Sequence, residues 1–67
     1  MNTLSLNGEP LRSDAPTLQA LLAERGYDPR VAFACALNLA FVPRPQWSQQ
    51  ALRDGDRIDV ITPVTGG

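Results

Sequence analysis

Histidine and lysine are both absent from this chain of 67 residues, whose six basic side chains are all arginine. Without histidine it lacks the commonest general base and the commonest metal ligand. Without lysine it can form no Schiff base and cannot be conjugated through a lysine side chain of its own. Cys35 is the single cysteine, so no internal disulfide is possible. Seven acidic residues leave a net charge of -1, with the arginines scattered singly. A nucleic-acid binder needs a basic face to displace counterions from phosphates, and this pattern does not supply one. No apolar run approaches the ~20 residues of a membrane span, and no charged-then-apolar leader opens the chain. The expectation is a cytoplasmic protein with no nucleic-acid or membrane partner and no bound metal. Its side chains are poorly equipped for catalysis.

What is present suits one small folded domain. Apolar residues make up 43% of the chain and charged residues 19%, which is globular rather than disordered composition. A chain this short buries only ~60% of the surface its unfolded form exposes, so the core must be small.

Residues 3–6 alternate polar and apolar, as a half-buried strand does. Asn7-Gly8 follows, a strong signal for a tight hairpin turn with positive φ at both positions. The returning strand, residues 9–12, contains Pro10, which marks it as an edge. Thr17 is then a plausible helix N-cap, with Leu18, Leu21 and Leu22 on one helical face and Gly26 as the C-terminal stop. Residues 31–37 alternate large and small, placing Val31, Phe33, Cys35 and Leu37 on one face of a central strand. Phe41-Val42 reads as a short strand closed by Pro43, and Trp47 as a core residue under an irregular crossing. Asp54-Gly55-Asp56 is a turn. Residues 57–62 form the last strand, with Ile58 and Val60 facing one way and Ile61 the other.

Hairpin, helix, strand, short strand and final strand predict an α+β fold: one helix packed across a mixed sheet of about five strands. The long crossing after the first hairpin lets the last strand lie parallel to the first, in the middle of the sheet. That is the β-grasp, or ubiquitin-like, arrangement. It assigns residues 1–62 to the domain and residues 63–67 to a C-terminal tail.

The tail reads Pro63, Val64, Thr65, Gly66, Gly67. Proline cannot continue a ladder, and five extended residues at ~3.3 Å each reach roughly 16 Å. Glycines pass through a channel where a Cβ would collide. The reactive handle at the tip is the Gly67 carboxylate. At pH 7 it is an anion and a poor electrophile, so it must be activated, most simply as an acyl-adenylate from ATP. The chain has neither a phosphate-cradling glycine loop nor a lysine for the phosphates. The activating enzyme must be another chain, which makes this protein a carrier and co-substrate rather than an enzyme.

Residues 36–67 carry a resemblance. Ala36 and Asn38, Val42-Pro43-Arg44, Gln46-Trp47, Asp54-Gly55-Asp56 and Gly66-Gly67 fall in an order and spacing that resembles the ThiS family of sulfur carriers in thiamin biosynthesis. Thr65 departs from it, since an alanine commonly precedes the diglycine. The resemblance implies that an E1-like, ThiF-like adenylyltransferase adenylates Gly67. Sulfur from a persulfide, supplied by a cysteine desulfurase or a related donor, then leaves a thiocarboxylate that a ThiG-like thiazole synthase consumes. The chain would bind no cofactor itself; ATP and the persulfide belong to the partner enzymes.

For partner contacts the expectation is the tail residues Val64, Thr65 and Gly66. Ile61, Phe41 and Val42 would form an apolar patch beside the tail, and Arg44 would face a partner carboxylate. Two other functions stay open at this point. One is a sulfur carrier of the same fold serving molybdopterin or tRNA thiolation. The other is a ubiquitin-like modifier joined to target lysines.

Overall fold

Asn7 and Gly8 both take positive φ, 52° and 85°, and fold the first ten residues or so back on themselves. The strands they join are β1 (Asn2–Leu6) and β2 (Glu9–Ser13), antiparallel with Leu4 opposite Leu11. The computed structural model describes residues 1–28 and 30–62.

The helix α1 (Leu18–Glu24) starts where its cap dictates: the Thr17 hydroxyl oxygen accepts from the Ala20 N–H at 3.2 Å. Such a cap contributes about 1 kcal/mol. Leu18, Leu21 and Leu22 are buried on one face, and Gly26 ends the helix at φ 88°. After it come β3 (Ala34–Leu37), β4 (Ala40–Phe41), a 3-10 turn (Arg44–Gln46) and β5 (Arg57–Ile61).

The described strands make one sheet in the order β2-β1-β5-β3-β4. β5 runs parallel to β1 and antiparallel to β3. The final strand therefore lies in the centre, and Pro10 sits on an edge strand as expected. Alternation along the strands gives the sheet two unlike faces. Leu4, Cys35 and Ile58 point to the helix side, where they meet Leu18, Leu21, Leu22, Trp47 and Leu52 in the core. Thr3, Ser5, Ala34, Ala36, Phe41, Asp59 and Ile61 share the outer face, by register and alternation.

Three expectations need correction. Residues 31–33 are not strand. β5 ends at Ile61, opposite Ala34, so a strand residue before Ala34 would find no partner there. Instead the Val31 N–H donates to the Asp28 carbonyl at 3.0 Å, and Arg44 takes the Val31 and Phe33 carbonyls. Val31 is exposed rather than inward-facing, while Phe33 still packs against the core. The short strand is Ala40–Phe41, not Phe41-Val42, because the turn residues 38 and 39 set Leu37 opposite Ala40. The last strand closes at Ile61 rather than Thr62.

Candidate functional site

The candidate site is the end of β5 and the outer sheet face around it. Of the residues expected to act there, Pro63, Val64, Thr65, Gly66 and Gly67 lie outside the described residues. β5 precedes them in the chain. Ile61 pairs with Ala34, Val60 with Cys35, and Asp59 with Ala36, which in turn pairs with Phe41.

Phe41 and Ile61 are therefore brought to one face, separated by the small side chains of Ala34 and Ala36. Phe41 is 68% exposed and Ile61 60%. Large apolar side chains are ordinarily the first to be covered, so two on one face beside the strand end form a candidate contact surface. Asp59 lies in the same row and is joined to Arg57 by an ion pair at 3.0 Å. Phe41 and Asp59 thus share one row across Ala36, and Ile61 lies beyond it at the strand end.

Val42 and Arg44 are placed differently. Val42 is 6% exposed and belongs to the core, its N–H donating to the Cys35 carbonyl at 2.9 Å. Phe41 and Val42 are neighbours in sequence on opposite sides of the sheet, and only Phe41 is presented to solvent. Arg44 lies over the rings of Phe33 and Trp47, its guanidinium carbon 5.1 and 4.6 Å from their centroids. Its Nη2 donates to the carbonyls of Val31 and Phe33 at 3.1 and 3.4 Å. The two rings stack with centroids 5.0 Å apart, and Trp47 Nε1–H donates to the Val42 carbonyl at 2.9 Å. Arg44 is therefore a clamp that ties residues 31–33 to the crossing, using cation-π contact and two carbonyls in place of a strand ladder.

Cys35 is fully buried. Burial pushes its thiol up to about 11, and the charge of Asp59 adds to the effect. The thiolate is the reactive form of cysteine, so this sulfur is inert at neutral pH. Among the described residues no group of three or more His, Cys, Asp or Glu side chains could hold a metal ion. None of their helices is long and apolar enough to cross a membrane.

Two asparagines do more than the sequence announced. Asn7 and Asn38 both sit at φ 52° in two-residue turns. The Asn7 N–H donates to the Ile58 carbonyl at 2.9 Å, and its Oδ1 accepts from the Val60 N–H at 2.8 Å. Asn38 treats Arg57 likewise: its N–H donates to the Arg57 carbonyl at 2.7 Å, and its Oδ1 accepts the Arg57 N–H at 2.9 Å. The side-chain amide of Asn38 also donates to Asp56 Oδ1 at 3.0 Å. The Asn-Gly pair signalled only a turn. No local pattern announces a side chain that reaches a strand fifty-three positions away.

A helix laid across a mixed sheet whose last strand runs centrally beside the first defines a ubiquitin-like domain of the β-grasp class. A sequence model of the ThiS family matches residues 4–67, and the chain belongs to that family. It is 38% identical over 65 residues to a thiazole synthase of Paramagnetospirillum magneticum, a match covering 96% of this chain and 20% of that protein. It is 44% identical over 34 residues to the sulfur carrier protein ThiS of Escherichia coli, covering 51% of this chain and 52% of the other. The chain thus spans about a fifth and about a half of these two relatives. The crystal structure of the thiamine biosynthesis protein ThiS of Geobacter metallireducens superposes with a TM-score of 0.82 at 22% identity, over 97% of this chain and 99% of that one. The likeness supports the same fold for this chain.

Proposed function

We propose that this protein is a sulfur carrier for thiazole formation in thiamin biosynthesis, working through the carboxylate of Gly67. An E1-like enzyme transfers AMP from ATP to that carboxylate and releases pyrophosphate. The terminal sulfur of a persulfide attacks the acyl carbon, the bond to AMP breaks, and a thiol then cleaves the remaining S–S bond. The product is a C-terminal thiocarboxylate, which a thiazole synthase consumes. Sulfide is in this way carried as an acyl species rather than released. The chain supplies the acyl group and the grip; the partners supply ATP, persulfide and catalysis, and the setting is the cytoplasm.

The observation that carries this reading is the family match, which runs through Gly66 and Gly67. The arrangement of β5 supports it. Phe41 and Ile61 offer the adenylating enzyme an apolar hold one step from the residues it must reach, while Val64, Thr65 and Gly66 are the stretch it threads. A segment similar to this chain occupies a fifth of a protein named thiazole synthase, as expected if carrier and synthase act together. The same observation favours thiamin over molybdopterin or tRNA thiolation.

Intact-mass measurement tests the reading. Incubated with an E1-like partner, ATP and a persulfide donor, the protein should gain the mass difference between sulfur and oxygen. Removing Gly67 should abolish the gain and leave thermal unfolding unchanged. Absence of the gain in the unaltered chain, with a partner pair active on another carrier, would refute it.

A further inference from the structure

β5 is the strand from which the reactive end departs, yet β1 does not accompany it to its last residue. The parallel register pairs Ser5 with Arg57 and Leu6 with Ile58, and there β1 turns away at Asn7-Gly8. β5 continues to Ile61 with β3 on one side. On the other side, the Asn7 Oδ1 accepts the Val60 N–H at 2.8 Å, where the next residue of a longer β1 would have supplied a carbonyl. Asn7 thus lengthens the β1 ladder by one bond, made with a side chain, after the backbone has already left.

We propose that Asn7 is a positioning residue for the carrier's reactive end. By closing the ladder at Val60 it holds the final residues of β5 as strand, so that the segment after Thr62 starts from a fixed point beside Phe41 and Ile61. The proposal rests on the carrier function given above. The physical consequence is one of reach. If residues 60–62 fray, the last fixed residue moves three positions further from Gly67, and the effective concentration of the chain's end at a partner's site falls, by roughly twofold for a change of this size. The orientation of the apolar hold relative to the tip is loosened as well.

Asn38 provides the internal control. It has the same φ, the same kind of two-residue turn and the same carbonyl-to-amide bond, but to Arg57 at the opposite end of β5. A role in general stability is shared by both residues; a role in positioning the reactive end belongs to Asn7.

The experiment compares wild type, Asn7→Gly, Asn7→Asp and Asn38→Gly as carriers for the E1-like enzyme, with pyrophosphate release as the readout. Glycine keeps the positive φ and removes the acceptor; aspartate tolerates the same φ and keeps an oxygen there. Asn7→Gly should raise KM for the carrier about two- to fivefold with kcat unchanged. Amide exchange at Val60 should quicken about fivefold, the worth of one net hydrogen bond. Asn7→Asp should restore both, and Asn38→Gly should lower thermal stability while leaving KM unchanged. Faster Val60 exchange with an unchanged KM in Asn7→Gly overturns the positioning role, as does an equal KM rise in Asn38→Gly. A wild-type chain that supports no pyrophosphate release overturns the carrier reading itself, and the positioning role with it.

Discussion

The two hairpins of this sheet turn through the same backbone with different residues. Asn7-Gly8 and Asn38-Leu39 are both two-residue turns with positive φ at each position, and each asparagine ties itself to β5. The second positions differ. Gly8 adopts φ 85° with no steric cost, whereas Leu39 is forced to φ 69° and is left 73% exposed. Left-handed geometry costs a β-carbon-bearing residue roughly 1–2 kcal/mol, and an exposed leucine recovers little of that by burial. The fold tolerates it because Leu37 and Ala40 must pair and only a turn of this hand matches the twist of the strands. A tight turn is therefore specified by what flanks it as much as by its own preferences.

Mutations separate the two turns and the residues that flank them. The largest effect should come from the second hairpin's own two faces. Val42→Ala should cost about 2 kcal/mol, because it opens a void in the core, and lower Tm by several degrees. Phe41→Ser, one residue away but exposed, should change stability by less than about 0.5 kcal/mol, and the proposed carrier activity should fall instead. Equal losses of Tm in both variants would erase the distinction between the faces.

Next in size is an exchange of turn residues. Gly8→Leu should destabilise by about 1–2 kcal/mol, a purely backbone cost, since a Cβ at Gly8 meets nothing within 4 Å. Cys35, on the strand that leads into the second turn, gives a pH-dependent effect of about 1 kcal/mol. Its folded pKa is raised to about 11 from an ordinary 9.0, so the folded state favours the protonated thiol. Stability from this group is complete below pH 9 and is lost as pH rises from 9 towards 11, when the unfolded chain ionises first. One pH unit above 9 corresponds to about 1.4 kcal/mol as an upper value. Chemical denaturation at pH 8 and pH 10 should show the drop in the wild type and not in Cys35→Ala. The smallest effect, about 0.5–1 kcal/mol and stabilising, is expected of Leu39→Gly, which relieves the left-handed strain at some entropic cost. Loss of stability there would mean that Leu39 makes a contact which offsets its backbone.

Much of the fold was legible because its signals are local. The Asn7-Gly8 dipeptide, the Thr17 cap with leucines at helical spacing, Pro10 on an edge and the Asp54-Gly55-Asp56 turn each act through neighbours a few residues away. Residues 31–33 were misread because alternation reports which side chains can be buried on a strand, not whether a partner strand extends far enough to pair with them. Arg44 was expected to face a partner carboxylate; it is exposed, and its flat cation also covers Phe33 and Trp47, rings that only folding brings together. On the site, exposure of Phe41 and Ile61 followed from strand parity once the sheet existed, and the core position of Val42 from the same parity shifted by one.

Most of the elements, their order and the family were readable from the chain alone, since turn chemistry, periodicity and motif spacing are properties of adjacent positions. The long-range bonds were set by the folded chain: β5 between β1 and β3, Arg44 clamped over two rings, and Asn7 reaching Val60 across fifty-three positions. The physical reason is that a hydrogen bond or a ring contact depends on distance in space, and spatial distance between remote positions exists only after the chain has closed its core.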